Sequence, residues 1–109
     1  GGGGICEQSY ENAFKWYNKA AEQNYPVAME SLGELYKDGK GVTMNKQEAV
    51  KWFRKAADLG DDWAMWYLGQ CYEKGEGVEK SKDKALYWYR YGARYGNINC
   101  KPDLERLEK

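Results

Sequence analysis

The 109-residue sequence contains no histidine. That removes histidine-based catalytic triads and imidazole metal ligands together. With only two prolines, long helices are free to form. No apolar run approaches the ~18 residues of a membrane-spanning helix, so membrane insertion is not expected, and no signal sequence is readable. The 17 basic and 17 acidic residues cancel. A nucleic-acid partner held by a dominant basic field is therefore not expected either. The basic run from Lys80 to Lys84 is interrupted by Asp83 and reads as a solvated helix start. Three cysteines show no C-x2-C spacing, and their odd count leans to a reducing, cytoplasmic compartment. No metal and no cofactor is expected.

What the sequence does have is aromatic residues, five Trp, ten Tyr and two Phe, and an internal repeat. Shifted by 36 positions, "AMESLGELYKDGKGV" (Ala28 to Val42) lies over "AMWYLGQCYEKGEGV" (Ala64 to Val78) without a gap. "KQEAVKWFRKAADLG" (Lys46 to Gly60) lies likewise over "KDKALYWYRYGARYG" (Lys82 to Gly96), and "YENAFKWYNKAAEQN" (Tyr10 to Asn24) matches the same second half. The chain thus divides into a glycine-rich tag or linker with a truncated start (1–8), a half repeat (9–24), two full repeats (25–60 and 61–96) and a terminal capping helix (97–109).

Each full repeat reads as two helices. The first runs from Pro26 to Asp38, its copy from Asp61 to Lys74, with Gly39 and Gly75 as left-handed C-terminal caps. Ser9, Asn45 and Ser81 are suited to N-cap the second helices, and Asn45 with Glu48 resembles a capping box. The second helices carry small-large-large-small stripes: Ala13, Trp16, Tyr17, Ala20; Ala49, Trp52, Phe53, Ala56; Ala85, Trp88, Tyr89, Gly92. Small residues admit a neighbouring helix closely and aromatics fill the space beside it. One helix pair cannot bury such a stripe, whereas stacked pairs can, which predicts an all-α solenoid.

The pattern A-x3-L-G-x2-Y-x2-G-x-G-V followed by A-x2-W-[FY]-x2-A-A-x2-G resembles the Sel-1-like repeat, a relative of the tetratricopeptide repeat. The resemblance covers nearly everything after the leading glycines. It implies an α/α superhelix, a right-handed solenoid of antiparallel helix pairs, acting as a protein-interaction adaptor or scaffold without catalysis. Gly92 departs from the alanine at Ala56, and Glu105 stands where Gly33 and Gly69 stand. One branch of the family pairs cysteines within its repeats, a pairing absent here. Cys6, Cys71 and Cys100 instead occupy apolar repeat positions and read as small buried hydrophobes.

The Gly-x-Gly loops, Gly39-Lys40-Gly41 and Gly75-Glu76-Gly77, follow helices. A dinucleotide loop would follow a strand, so both read as inter-helix turns, with Val42 and Val78 tucked onto the core. The carboxylate pairs Glu30/Glu34 and Glu7/Glu11 lack facing partners and read as solvated surface.

Trp63 and Trp66 are different, because their counterparts are Val27 and Glu30. They lie at i, i+3 on a first helix, and the same face continues through Gln70, Glu73 and Lys74. The preceding repeat presents Glu30, Glu34 and Lys37 there. By the resemblance, first helices line the concave side. These residues then form a groove for a peptide or helix of a partner protein, with aromatic anchors and a polar rim. The alternative is a carbohydrate or cell-wall ligand stacked on the tryptophans, with or without hydrolysis. Tyr87, Tyr91 and Tyr95 form a second stripe, expected to pack on the final helix (Pro102 to Glu108) through Leu104 and Leu107. The first helix has lost its partner. Ala13, Trp16, Tyr17 and Ala20 are expected to be uncovered, as in a piece of a longer array or a chain that self-associates there.

Overall fold

The computed structural model describes residues 4–109, with side chains from residue 8 onward. The described residues form six helices: α1 (Gly4–Glu22), α2 (Pro26–Asp38), α3 (Lys46–Asp58), α4 (Asp62–Lys74), α5 (Lys82–Arg94) and α6 (Cys100–Glu108). Consecutive helices pack on one another from end to end, giving the solenoid of helix pairs that the repeat implies.

Local chemistry sets the boundaries. Pro26 opens α2, where a missing amide costs nothing. The side chains of Asn45, Asp61 and Ser81 accept from the amides of Glu48, Ala64 and Lys84, each three residues on. The backbone amide of Asn45 donates instead to the carbonyl of Tyr36, which ties the start of α3 to the end of α2. Gly39 and Gly75 close α2 and α4 at φ 68° and 71°, a conformation that strains any residue with a Cβ.

Three expected boundaries are corrected. α4 starts at Asp62, with the expected first residue Asp61 as its N-cap, and α6 starts at Cys100 rather than Pro102. α1 begins at Gly4, so Ser9 lies inside the helix and caps nothing. Its side chain is exposed, and a serine hydroxyl on a solvent-facing helix surface can be satisfied without ending the helix. The glycines before residue 4 and the side chain of Cys6 lie outside the described residues.

The core repeats with the sequence. Phe53 and Tyr89 are fully buried, and each lies on a glycine of the facing first helix, Gly33 and Gly69. A Cβ on either glycine would run into the ring, so Leu-Gly is a docking surface for the aromatic. Burying one such ring contributes about 2–3 kcal/mol. The departure at Gly92 has a similar cause: a Cβ there would meet the Cys100 sulfur of α6.

Candidate functional site

The second glycine of each Gly-x-Gly loop answers the phosphate question. A Cβ on Gly41 would meet the backbone of Tyr10, and one on Gly77 the carbonyl of Lys46, the corresponding residue one repeat later. The loop is pressed onto the preceding second helix, and Lys46 reaches Glu76 at 3.4 Å across that joint. The amides of Lys40 and Glu76 are spent on the helix ends, donating to the carbonyls of Leu35 and Cys71.

The first helices α2, α4 and α6 lie side by side and share one face. Side-chain hydrogen bonds cross between them. Tyr67 donates to Glu34 at 2.8 Å, the Trp66 indole N–H donates to Asp103 at 2.7 Å, and Arg106 grips both oxygens of Glu73 at 2.7 and 2.8 Å. All eight candidate residues sit on or beside these helices, but their situations differ.

Trp63 is 39% exposed and meets Trp66 edge-on at 5.9 Å; Trp66 meets Tyr67 at 5.1 Å. The three rings make a continuous aromatic step with Trp63 at its open end. Trp66 is half-buried and anchored to α6. Gln70 donates to the hydroxyl of Tyr89 at 2.7 Å and, at 3.4 Å, to Asp103. Tyr89 donates in turn to Glu73 at 2.7 Å. Arg106, then the Tyr89 hydroxyl, hold the Glu73 carboxyl below its ordinary range. Gln70 and Glu73 are therefore joined to the capping helix, while Lys74 remains exposed.

On α2, Lys37 pairs with Asp38 at 2.9 Å and lies 5.7 Å over the Tyr67 ring. Glu30 is unusual. Burial, then its contact with Glu34, pushes its carboxyl up to about 9, so it is protonated at neutral pH. Burial and Glu34 also raise the Tyr67 phenol. A recess of about 130 Å³ opens between α2 and α4, bounded by Lys37, Trp66, Tyr67, Gln70, Lys74 and Glu76.

Tyr67, Asp103 and Arg106 complete this face and were missed in the sequence. Tyr67 stands where the first repeat has Ser31, a non-recurring aromatic that the same comparison flags. The other two belong to the atypical last helix, where repeat matching is thin.

The tyrosine stripe is also corrected. Leu104 and Leu107 pack with Tyr72, Tyr89 and Cys100, while Tyr91 packs with the cluster around Phe53 and Ala57. Tyr87 and Tyr95 are 53% and 54% exposed, and Tyr95 stacks on Tyr91 at 5.2 Å. The stripe turns away from α6 because i, i+4 spacing keeps it one helix face from Tyr89.

Cys71 and Cys100 are buried free thiols, raised by burial to about 11 and about 12, which leaves them inert. Among the described residues no group of side chains could hold a metal ion, and no helix is long and apolar enough to cross a membrane.

The Sel1 repeat family model matches residues 1–25, 26–61 and 64–97. Among solved structures, the chain is similar to a Sel1 repeat protein from Oxalobacter formigenes, at 40% identity and TM-score 0.83, over 86% of this chain and 38% of that one. It is also similar to c5321, a protective antigen present in uropathogenic Escherichia coli strains and displaying an SLR fold. That match has 39% identity and TM-score 0.87, over 90% of this chain and 21% of that one. Helicobacter pylori cysteine rich protein B matches at 28% identity and TM-score 0.80, over 84% of this chain and 68% of that one. The chain thus spans well under half the length of the first two. No curated protein matches it in sequence.

Proposed function

This chain belongs to the Sel1 repeat family, and we propose that it binds a peptide or helix of a partner protein along the face shared by α2, α4 and α6. The Sel1 repeat is a scaffold fold that generally mediates protein–protein interaction. The observation that carries the finer reading is the aromatic step of Trp63, Trp66 and Tyr67. Its inner rings are fixed by hydrogen bonds and its outer ring is presented to solvent. A rigid aromatic anchor loses little conformational entropy on binding, which is what interface hot spots require. Lys37, Lys74 and Glu34 supply a polar rim. We take this face to be the concave side of the array.

The adjoining recess favours a peptide over a small molecule. Its volume of about 130 Å³ is well below the ~300 Å³ at which ordinary ligand pockets begin. A side chain of a peptide lying across the face fits there.

Trp63→Ala is the clean test, because among the described residues Trp63 makes no hydrogen bond to another helix and is 39% exposed. A displayed peptide library selected against the protein should yield binders that fail on Trp63→Ala and survive Tyr87→Ala, with melting unchanged. Binders indifferent to Trp63 and competing with nothing on α2 or α4 would overturn the assignment.

A further inference from the structure

The two ends of the stack are built oppositely. At the α1 end, Ala13, Trp16, Tyr17 and Ala20, with Tyr25 just before α2 and Val27 and Ala28 within it, border an open apolar groove of about 500 Å³. Trp16 is 73% exposed and Tyr17 is only half-buried. The same groove occurs twice more inside the molecule, where it is filled. The counterparts Ala49, Phe53, Ala56, Ala85 and Tyr89 are all essentially inaccessible.

What fills it is known in both cases. α2 covers the α3 groove and α4 the α5 groove, each through the pattern M-x2-L-G-x2-Y: Met29, Leu32, Gly33, Tyr36 and Met65, Leu68, Gly69, Tyr72. The glycine sits over the aromatic ring, and Met65 lies against Gly92 at the small end of the stripe. Tyr17 occupies the position of Phe53 and Tyr89, so its cover also needs a glycine there.

The protein's own last helix does not qualify. In α6 the corresponding residues are Lys101, Leu104, Glu105 and Glu108. Lys101, Glu105 and Glu108 are exposed, and Glu105 replaces the glycine that a Cβ would obstruct. Head-to-tail stacking of two copies would press three charged side chains into an apolar groove, at a large desolvation cost. α2 and α4 are already engaged within the molecule.

We propose that the α1 groove receives, in trans, one helix of a partner polypeptide bearing the M-x2-L-G-x2-Y pattern, with its glycine seated over Tyr17. The contact is an extra layer of the same stack and is independent of the α2–α4–α6 face.

A labelled peptide copying residues 26–40 tests this by fluorescence anisotropy against the 109-residue protein. Saturable binding is expected. The same peptide with Gly33→Leu should bind at least about tenfold more weakly, as overpacking a fitted contact does. Leucine is the better helix former, so that loss cannot come from peptide unfolding. Ala20→Glu and, on a largely exposed position, Val27→Glu should also abolish binding, while Trp63→Ala should not. Absence of binding, equal binding by the Gly33→Leu peptide, or binding that survives both groove variants would overturn the proposal. Sedimentation showing the groove closed by a second copy would overturn it as well.

Discussion

Residues 25–60 and 61–96 are two copies of one pattern, yet they use it differently. Phe53 and Tyr89 fill equivalent sites, each fully buried on a glycine. Only Tyr89 carries a hydroxyl, and that hydroxyl passes through the core to Gln70 and Glu73 on the shared face. In the first copy the corresponding residues, Glu34 and Lys37, face α4, and Glu34 takes its hydrogen bond from Tyr67. The apolar positions do the same work in both copies. The polar positions follow whatever helix comes next: α2 has a full-length neighbour, whereas α4 must hold α6, which is only nine residues long. Short helices have little intrinsic stability, and the second copy supplies the missing attachment with charged hydrogen bonds.

Truncating the shared feature should have the largest effect. Phe53→Ala and Tyr89→Ala should each cost about 4 kcal/mol in chemical denaturation, the range for emptying a buried aromatic site. Tyr89→Ala should cost more, because Gln70 and Glu73 also lose their partner. Equal losses would mean that the hydroxyl network is idle. Tyr89→Phe isolates the difference between the copies. It keeps the packing and removes two hydrogen bonds, one to a carboxylate, for a loss of about 1–2 kcal/mol. Hydrogen exchange should show that loss concentrated in α6.

The change that is smallest near pH 5 comes from Glu30, whose counterpart is Trp66. Its carboxyl is raised in the folded protein to about 9, chiefly by burial. The folded state then holds a proton that the unfolded chain releases above its ordinary carboxyl pKa. Stability from this group is whole below that value, falls as pH rises, and is gone above about 9. Glu30→Gln should therefore flatten the decline in melting temperature between pH 5 and pH 9. A slope unchanged by Glu30→Gln would place the titration elsewhere.

Much of the fold was legible because repeats state their own alignment. The caps at Asn45 and Ser81, the terminating glycines and the apolar stripes all depend on residues within four positions of one another. Ser9 misled because a serine on an exposed helix face has the same composition as a cap. On the candidate face, the eight residues were legible as positions, and their bonds were not. Trp66 and Asp103 are 37 residues apart and meet only through the angle at which α4 and α6 stack. The tyrosine stripe failed for the same reason: its spacing tells that three rings align, and says nothing of which neighbour they face.

The sequence by itself determined the unit: helix lengths, the caps at Asn45 and Ser81, the small-large-large-small stripes, and a 36-residue period that requires stacking. These follow from local backbone preference and from apolar periodicity, both of which act over a few residues. Only the tertiary structure decided which polar groups are spent internally. It committed Gln70, Glu73 and Trp66 to α6, left Trp63 presented to solvent, and opened the groove beside Tyr17 while sealing its two copies. A polar side chain several ångströms long can reach more than one helix, and which one it meets is fixed by packing between repeats.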